Sequence, residues 1–339
     1  MKNKILHVMM AEKFMSPFID VINNNFNREE HKMLVINISN IECPLDLKKQ
    51  DGVIWITKKY ELLKLSYLLN NSNKIILHGL FLNSLIISLF FQPWLLKKCC
   101  WVMWGGDFYL PEKQRWFKKQ VIKKIRHFVT YLKGEFKLVE KWYDVKGTYH
   151  ESFMYPSNLY KEYDIKPKVD GSIINIQVGN SADSTNNHIE VFEKLKKYKD
   201  ENIKIYVPLS YGNKDHSENV IIKGKEIFGD KFIAITEFMS SEKYLEFLGY
   251  IDVAIFAHKR QQAMGNIITL LGLGKKIYIR SEITTWKFFK DINVSVFDFD
   301  NLELERINET PKTKNIENIK SYFSEKNYLH QLNNFFNYQ

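Results

Sequence analysis

The chain has few cysteines and no long uninterrupted hydrophobic run. Its 339 residues include only Cys43, Cys99 and Cys100, two of them adjacent, so the sequence indicates neither a disulfide framework nor a zinc motif. The most apolar stretch, residues 75–96, is interrupted by polar residues and by Pro93, which argues against a membrane span. The first residues lack the pattern of a secretory signal peptide. We therefore expect a protein of the reducing cytosol.

Acidic residues are in the minority. The chain has 49 Lys and Arg against 39 Asp and Glu, which gives a formal net charge of +10. Such a balance favours an anionic partner, which can be a nucleic acid, an anionic lipid surface or a phosphorylated substrate. The sequence contains no recognised RNA- or DNA-binding motif, so we expect no nucleic-acid partner. It also lacks the glycine-rich fingerprint of dinucleotide-binding domains.

Apolar strand-like runs alternate with helical segments in both halves of the chain. This alternation predicts a parallel sheet covered by helices, and its repetition predicts two Rossmann-like α/β domains. Residues 155–171, rich in proline, glycine and charge, mark the boundary. We place the first domain at 1–160, the second at 171–312, and a helical tail that packs back on the first domain at 313–339. The predicted strands are 5–10, 33–38, 52–56, 74–78, 100–104, 172–178, 203–208, 232–236, 252–256 and 276–280. The predicted helices are 60–69, 83–91, 187–198, 218–228, 242–250 and 265–273.

Two cations, two amides and a glycine follow the predicted strand 252–256 and precede a predicted helix. Ligands of open parallel sheets bind at the carboxyl ends of strands, and a helix N-terminus there attracts anions. Arg260 adds a forked donor that suits a phosphate. The pattern predicts an anion site formed by Arg260, Gln261, Gln262 and Gly265. The alternative is a basic surface loop that ends the sheet edge.

Three more turns follow predicted strands of the second domain and open onto the same edge of its sheet. Glycine in the first turn permits close backbone approach. The aromatic residues can stack on a nucleobase, and the carboxylate can accept from a ribose hydroxyl or a base N–H. Each residue type is also common as a helix cap or a packed side chain. The further candidate ligand-binding residues are Gly179, Asn180, Ser181, Tyr211, Glu237 and Phe238.

A short aromatic strand in the first half ends in two glycines and Asp107. A carboxylate at this position can act as general base for a hydroxyl, hydrogen-bond a sugar, or cap the next helix. His78 ends the preceding predicted strand and is the expected neighbour of Asp107. It can be a base, a phosphate contact or a core histidine. We take Asp107 and His78 as the candidate catalytic residues.

A basic segment after Pro111 carries apolar residues at helical spacing. Phe117, Val121, Ile125 and Phe128 form one predicted stripe, which cations surround. This pattern is typical of a helix on an anionic membrane surface, and an ordinary helix packed on a core produces it too. We favour the interpretation as a helix that binds a membrane surface. The predicted membrane-binding residues are Trp116, Lys118, Lys119, Lys123 and Lys124.

The sequence Asp298-Phe299-Asp300 matches the Asp-x-Asp motif of metal-dependent sugar transferases. It stands late in the chain, where the neighbouring residues indicate a strand end and a turn. We therefore predict no metal site and no cofactor. The charge of a phosphate ligand would be met by Arg260 and by the helix dipole instead.

Taken together, the motifs resemble glycosyltransferase family 56, the 4-acetamido-4,6-dideoxy-D-galactose transferases of enterobacterial common antigen assembly. The resemblance covers most of the chain beyond residue 70 and is weak before it. The similar stretches are residues 101–109 as Trp-x-x-Trp-Gly-x-Asp-x-Tyr, residues 178–189 with Gly179, Asn180, Ser181, Asp183, Asn186 and His188, residues 207–208 with Tyr211, residues 256–257 with Arg260, Gln261, Gln262 and Gly265, and residues 327–329.

This resemblance implies an α/β fold of the GT-B type, with two facing Rossmann-like domains and the active site in the cleft. It implies a dTDP-sugar donor bound mainly by the second domain, and an undecaprenyl-diphosphate-linked saccharide acceptor on the side of the first. The expected protein is a glycosyltransferase of surface polysaccharide synthesis. It would be peripheral on the anionic cytoplasmic face of the bacterial inner membrane.

Other functions fit the same charge and strand–loop pattern. A transferase that uses UDP- or GDP-sugars for capsule or cell-wall polymers would share the fold and differ in its donor. A non-catalytic nucleotide-sugar-binding protein would bind the donor without turning it over. The relative affinity for dTDP, UDP and GDP distinguishes the donors, and turnover distinguishes an enzyme from a binding protein.

Overall fold

A computed structural model describes residues 4–38, 43–162 and 172–338. The chain divides into two compact units: unit 1 comprises residues 1–159 and 325–339, and unit 2 comprises residues 160–324. Part of the expected boundary, residues 163–171, lies outside the described residues, as does residue 339 at the end of the expected tail. The start of the predicted second domain at residue 171 is therefore not described.

Unit 1 contains a seven-stranded sheet in the order β3-β2-β1-β4-β5-β6-β7, and every pairing in it is parallel. The strands are β1 (Ile5–Met9), β2 (His31–Ile36), β3 (Val53–Ile56), β4 (Lys74–His78), β5 (Cys99–Val102), β6 (His127–Val129) and β7 (Thr148–His150). The central strands are apolar runs buried on both faces, as parallel sheets require. The strand order reverses between β1 and β4, so their carboxyl ends form a topological switch point, where open α/β sheets bind ligands.

The helices of unit 1 are α1 (Met15–Asn25), α2 (Leu45–Lys48), α3 (Leu62–Asn70), α4 (Asn83–Phe91), α5 (Trp116–Lys124), α6 (Lys133–Tyr143) and α13 (Glu325–Phe336). Their apolar stripes supply the core, as with Phe18 of α1 and Val139 of α6, which are fully buried. The predicted strand 74–78 and the predicted helix 83–91 are confirmed by β4 and α4. Across the described residues, no helix is both long enough and apolar enough to cross a membrane.

Unit 2 contains a six-stranded sheet in the order β10-β9-β8-β11-β12-β13, again with parallel pairing throughout. The strands are β8 (Ile174–Val178), β9 (Ile203–Pro208), β10 (Phe232–Ile235), β11 (Val253–Phe256), β12 (Lys276–Ile279) and β13 (Phe297–Asp298). The strand order reverses between β8 and β11, which gives unit 2 its own switch point. The prediction of two parallel α/β sheets is confirmed.

The helices of unit 2 are α7 (His188–Leu195), α8 (Lys214–Phe228), α9 (Ser241–Tyr250), α10 (Met264–Gly272), α11 (Thr284–Asp291) and α12 (Glu309–Tyr322). Side-chain caps fix several of their starts. Asn213 accepts from the backbone N–H of His216, so α8 begins four residues before the predicted helix at 218. Ser240 accepts from the backbone N–H of Lys243 at the start of α9.

The two helices at the end of the chain belong to different units. In unit 2, α12 packs on α10. In unit 1, Tyr328 of α13 donates to Met154 O at 2.8 Å, and Lys74 Nζ caps the end of α13 by donating to Phe336 O at 2.8 Å. The segment 313–339, which the sequence suggested as one tail, thus comprises most of α12 and the whole of α13.

Candidate active site

The loops after β8 and β11 form the switch point of the unit 2 sheet. β8 ends at Val178 and runs into Gly179, while β11 ends at Phe256 and leads to α10. The strands are neighbours, with Ile255 opposite Val178, and Gly179 N donates to Ile255 O at 3.0 Å. Two of the predicted ligand-binding turns therefore lie side by side at the carboxyl edge of this sheet.

Gly179 is a point of unusually close approach. Its φ of +65° is left-handed, a conformation that glycine adopts without strain. A Cβ at this position would lie 2.6 Å from Asn186 Oδ1 and 2.8 Å from His188 Nε2. Asn186 Oδ1 also accepts from Asn180 N at 2.9 Å, and its amide donates to Ser181 Oγ at 3.2 Å. The missing side chain thus brings a buried amide and a buried imidazole against the backbone at the end of β8.

Three buried side-chain atoms around this turn have no hydrogen-bond partner among the described residues. They are Gln177 Oε1, Asn180 Oδ1 and His188 Nε2. Gln177 reaches the turn through its amide, which donates to Gly179 O at 2.9 Å. Because buried polar atoms in proteins are nearly always paired, these atoms can accept from or donate to the polar groups of a small ligand.

Two buried histidines at this switch point are uncharged at pH 7. Burial, with a smaller contribution from the nearby His216, lowers the pKa of His188 to about 3. Burial likewise lowers the pKa of His258 to about 3, with a smaller contribution from Arg260. His258 Nε2 lies 3.0 Å from Asn186 Oδ1, and it donates its N–H to that oxygen. Neither imidazole supplies positive charge to the site.

Arg260 and the start of α10 supply the positive charge. The half-buried Arg260 donates from Nη1 to Gln261 O at 3.3 Å. Ala263, which precedes α10, has a φ of +57°, and the first turn has neither a side-chain cap nor an acidic residue. Gly265 is exposed, and no atom lies within 4 Å of the position a Cβ would take. The first N–H groups of this nine-residue helix are therefore accessible to an anion.

Hydrogen bonds connect the two neighbouring loops to this turn. Asn180 Nδ2 donates to Tyr211 Oη at 2.9 Å, which ties the loop after β9 to the loop after β8. Thr185 Oγ1 lies 3.0 Å from Gln262 Oε1 and 2.6 Å from Asp183 Oδ1, which places the loop before α10 against the same turn. The structure thus brings Gly179, Asn180, Ser181, Tyr211, Arg260, Gln261, Gln262 and Gly265 together at one edge of the unit 2 sheet.

The remaining two predicted ligand-binding residues lie further along that edge. Glu237 and Phe238 follow β10, the edge strand, which β9 separates from β8. Both side chains are exposed, and Phe238 retains 83% of its accessible surface. They share the carboxyl edge of the sheet with the other candidates and stay predictions for ligand binding.

Asp107 is fully buried in unit 1 and surrounded by donors. Its Oδ2 accepts from Trp101 Nε1 at 2.7 Å and from Leu80 N at 3.0 Å, and its Oδ1 accepts from Trp104 N at 3.1 Å. Burial raises the pKa of Asp107, while these hydrogen bonds and the nearby Lys118 act in the opposite direction. These contacts fix the turn after β5, a role outside the three that the sequence suggested, and the general-base assignment stays a prediction.

His78 stands at the unit 1 switch point, at the end of β4. It is 1% exposed, and burial lowers its pKa to about 3. Its Nδ1 lies 2.8 Å from Tyr155 Oη, and its Nε2 lies 3.1 Å from His7 Nδ1. Both nitrogens of the neutral ring thus have hydrogen-bond partners, and Tyr155 lies between the ring and the carboxyl edge of the sheet.

The expectation that the basic segment presents an apolar stripe to lipid is corrected by the structure. α5 ends at Lys124, so Phe128 belongs to β6, and Val121 and Ile125 are buried in the core. The side chain of Lys118 is also largely buried, with Nζ 6.0 Å from the ring centroid of Phe81. The stripe faces inward because it covers the sheet. Of the five residues predicted to bind a membrane, Lys123, Lys124 and Trp116 are exposed and Lys119 is partly exposed.

The Asp-x-Asp sequence forms a local turn. Asp298 Oδ1 accepts from Asp300 N at 3.1 Å, and its Oδ2 accepts from Ser281 Oγ at 3.1 Å. Asp300 pairs with Lys194 at 2.9 Å. Within the described ranges, no group of three His, Cys, Asp or Glu side chains is arranged to hold a metal ion.

Several residues of the two switch points escaped prediction. No sequence motif marks these residues, which are Gln177 and His258 in unit 2 and His7 and Tyr155 in unit 1. His258 stands next to the cationic loop, which is a weak signal for it. The others come together only through strand register and a distant loop, which residue spacing does not report.

The comparisons with known proteins agree with this architecture. The family model described as 4-alpha-L-fucosyltransferase glycosyl transferase group 56 matches residues 11–338, nearly the whole chain. The chain belongs to glycosyltransferase group 56. This membership confirms the resemblance inferred from the motifs, and it makes the protein a glycosyltransferase that acts with a nucleotide sugar.

Solved structures of the same fold include other sugar transferases. A glycosyltransferase from Rickettsia africae ESF-5 has a TM-score of 0.67 at 14% identity, with 99% of this chain and 98% of that chain covered. WaaG, a glycosyltransferase involved in lipopolysaccharide biosynthesis, has a TM-score of 0.59 at 11% identity, with 99% and 100% covered. An α,α-trehalose 6-phosphate synthase from Burkholderia multivorans has a TM-score of 0.64 at 9% identity, with 99% and 96% covered. These likenesses confirm the two-domain α/β fold of GT-B glycosyltransferases.

We expect Gly179→Ala to destabilise the protein more than a glycine-to-alanine change at another left-handed position. Gly229 is the matched control, because its φ is +56° and no atom lies within 4 Å of a Cβ placed there. Gly229→Ala should cost about 1–3 kcal/mol through backbone strain alone, because its φ of +56° and ψ of −129° lie in a region that residues with a Cβ rarely adopt. Gly179→Ala adds the overlap with Asn186 and His188. Urea unfolding measures both, and equal losses would show that the close approach is unimportant.

We expect Asp107→Asn to lower the free energy of unfolding by about 1–3 kcal/mol, because an amide cannot accept from all the present donors without directing its own N–H groups at one of them. Asp51→Asn, at an exposed turn position, is the control and should change stability by less than about 0.5 kcal/mol. The urea-unfolding midpoints of both variants, compared with that of the unchanged protein, measure these changes in stability. An Asp107→Asn protein of unchanged stability that has lost turnover would restore the general-base assignment.

Proposed function

We propose that this glycosyltransferase uses a dTDP-linked deoxyamino sugar of the 4-acetamido-4,6-dideoxygalactose type. The acceptor in this proposal is an undecaprenyl-diphosphate-linked saccharide, and the product serves surface polysaccharide synthesis. The single observation that carries the donor side is the unit 2 switch point, where unpaired buried polar atoms stand beside Arg260 and an uncapped helix start. The motifs shared with family 56 support the choice of dTDP and of the acceptor.

In this proposal the donor diphosphate binds at the start of α10. Arg260 and the first N–H groups of the helix meet its negative charge, and they stabilise the leaving dTDP as the glycosidic bond breaks. The turn at Gly179, Asn180 and Ser181 holds the sugar or ribose through the unpaired atoms. Tyr211 and Phe238 are the aromatic surfaces for the base, and Glu237, Gln261 and Gln262 are the polar contacts that complete the donor site.

We expect Arg260→Ala to weaken dTDP binding by roughly 10–100-fold, because a charged hydrogen bond to the diphosphate is lost. Lys259→Ala is the matched control. It removes an adjacent exposed cation and should change the affinity by no more than about fivefold. Calorimetric titration with dTDP, UDP and GDP measures both. A preference for UDP or GDP would assign the donor to another sugar pathway, and equal losses for both variants would remove the diphosphate role of Arg260.

A second surface supports a lipid-linked acceptor. We define the aromatic surface as Tyr67, Phe91, Trp94 and Trp116, whose exposed fractions are 68%, 72%, 59% and 65%. All four lie in unit 1, on α3, α4, the short turn after α4, and α5. Tyrosine and tryptophan are the side chains most enriched where a bilayer meets water, because they join an apolar ring to a polar tip.

Contacts between the elements make this surface continuous. Trp94 Nε1 donates to Asn70 Oδ1 at 3.0 Å, which ties the turn after α4 to α3. Phe90 packs against Phe91 and against Trp116, with ring centroids 5.3 and 5.4 Å apart, which ties α4 to α5.

The charge around the aromatic surface suits an anionic bilayer. The sequence has no acidic residue between Glu61 and Asp107, and none between Glu112 and Glu135. Lys64 and Lys97, on the elements that carry the aromatic rings, are exposed. Cations beside exposed aromatic rings bind anionic lipid head groups while the rings enter the interface. Such a location is consistent with the likeness in fold to WaaG, which is involved in lipopolysaccharide biosynthesis.

We expect the triple variant Phe91→Ser, Trp94→Ser, Trp116→Ser to lose binding to vesicles of phosphatidylglycerol and phosphatidylethanolamine, because the rings that enter the interface are gone. Ile222→Ser, which removes an exposed apolar side chain from unit 2, is the control and should float with the vesicles like the unchanged protein. Vesicle flotation at low and high salt measures both. Undiminished flotation of the triple variant would remove the aromatic surface from the proposal.

On the acceptor side, we propose that His78 acts through its neighbours and that Asp107 positions the turn after β5. Asp107 is fully buried and both of its carboxylate oxygens accept hydrogen bonds from the protein, so a sugar hydroxyl does not reach it. His78 lies under Tyr155, which is partly exposed at the same edge. A hydroxyl of the acceptor would meet Tyr155 before it met the imidazole.

A further inference from the structure

A chain of hydrogen-bonded side chains runs through the core of unit 1. His31 Nδ1 lies 2.9 Å from His7 Nε2, His7 Nδ1 lies 3.1 Å from His78 Nε2, and His78 Nδ1 lies 2.8 Å from Tyr155 Oη. Trp104 Nε1 donates to the same Tyr155 oxygen at 2.9 Å. His31, His7 and His78 are 9%, 0% and 1% exposed. His7 and His78 therefore each use both ring nitrogens in the hydrogen-bonded series, and His31 uses its Nδ1.

This series of hydrogen-bonded side chains, from His31 through His7 and His78 to Tyr155, crosses the sheet from its amino edge to its carboxyl edge. His31 is the first residue of β2, His7 is the middle residue of β1, and His78 is the last residue of β4. Because these strands are parallel neighbours, the chain starts at the amino edge and ends at the carboxyl edge. At the amino edge, His31 lines a cavity of about 650 Å³. At the carboxyl edge, Tyr155 is partly exposed as a residue, and its hydroxyl lies between His78 Nδ1 and Trp104 Nε1.

The three imidazoles are neutral at pH 7. Burial lowers the pKa of His31 to about 4 and that of His78 to about 3, and it lowers the pKa of His7 well below 6.5. Glu30 raises the pKa of His31, and Lys74 lowers it. The rings packed on the chain are apolar or aromatic, chiefly Phe18 and Phe336. A neutral imidazole has one N–H and one bare nitrogen, so each ring donates to one neighbour and accepts from the other.

Only two arrangements of the hydrogen atoms allow every hydrogen bond of the series to form while each imidazole stays neutral. In the first, the Tyr155 hydroxyl donates to His78, His78 donates to His7, and His7 donates to His31 Nδ1, so the N–H of His31, which lines the cavity, is at Nε2. In the second, His31 donates to His7, His7 to His78 and His78 to Tyr155, whose own hydrogen points outward. The Tyr155 oxygen accepts from Trp104 in both. The two arrangements differ by the position of one proton along each hydrogen bond.

We propose that this chain is a proton relay, in which Tyr155 takes the proton that the acceptor hydroxyl gives up and His31 releases one to the cavity at the amino edge. This role rests on the proposed transferase function, because it gives the relay its proton source. The residues of the chain would move a proton, and none of the three histidines would touch the substrate.

The step balances without any change in oxidation state. The acceptor O–H bond breaks as its oxygen bonds to the sugar, and the proton joins Tyr155 Oη. The Tyr155 proton moves to His78 Nδ1, the His78 Nε2 proton to His7 Nδ1, and the His7 Nε2 proton to His31 Nδ1. The His31 Nε2 proton leaves for water in the cavity. The chain then stands in its second arrangement, and one proton that enters at His31 and leaves from Tyr155 restores the first.

The arrangement of protons can be measured without substrate. The experiment uses the full chain with ¹⁵N-labelled histidine at pH 7. Long-range ¹H–¹⁵N spectra report which nitrogen of each ring carries hydrogen, and single His→Gln variants assign the signals. We expect His7, His31 and His78 to be neutral and oriented in one direction. A charged ring among them, or two neighbouring rings with opposed orientation, overturns the relay. This measurement stands whether or not the proposed function is correct.

Turnover tests whether the protein uses the chain. His31→Ala should lower kcat for release of dTDP from a dTDP-4-acetamido-4,6-dideoxygalactose donor by roughly tenfold or more, with the affinity for dTDP unchanged. Added imidazole should restore kcat through the cavity. N-methylimidazole fills the same space but cannot pass a proton from one nitrogen to the other, so it should not restore the rate. Equal rescue by both compounds, or an undiminished kcat, overturns the relay.

A second variant covers a failure of His31→Ala to fold. His7→Gln retains one donor and one acceptor on its amide and therefore can keep both hydrogen bonds. It cannot exchange a proton between them, so it should lose kcat to a similar extent while the urea midpoint stays close to that of the unchanged protein. A His7→Gln protein with full kcat overturns the relay. If the unchanged protein releases no dTDP, the proposed function fails, and the spectra alone decide on the proton chain.

Discussion

The parallel pairing of β8 with β11, and of β1 with β4, is the constraint on which both candidate sites depend. In each sheet the chain reverses its order of winding at this pair, so two loops diverge there from adjacent strand ends. In unit 2 the divergence leaves room for the turn at Gly179 beside the start of α10. In unit 1 it leaves His78 at the carboxyl edge, within reach of Tyr155.

Much of the fold follows from local sequence. β4, β9 and α4 have the predicted limits, because each is an apolar run bounded by polar or turn-forming residues. β6 and β7 were missed because strands of three residues carry too little alternation to register. α1 was missed as well, and it begins at Met15 without a side-chain cap, so the usual signal for a helix start is absent.

The sites were less predictable than the fold, for reasons that differ between residues. Arg260 and Gly265 could be found because strand, loop and helix follow one another directly in sequence. The stripe through Val121 and Ile125 was assigned to a membrane because helical spacing shows that one face is apolar without showing what covers it. The partners of Gly179 and His78 depend on which strands pair, and pairing over long sequence separation is not visible in local spacing.

The two switch points differ in the charge that they present, and this difference fits the two halves of a glycosyl transfer. In unit 2 the imidazoles are neutral, and Arg260 with the start of α10 provides the positive charge, which suits a leaving nucleoside diphosphate. In unit 1, His78, Tyr155 and Trp104 are neutral hydrogen-bonding groups. In the proposed reaction a neutral hydroxyl gives up a proton there, and a chain of neutral imidazoles can accept it without creating a charge in the core, where an unpaired ion would be strongly unfavourable. The low polarity that keeps these histidines uncharged is therefore the same property that makes a concerted shift along the chain preferable to an isolated base.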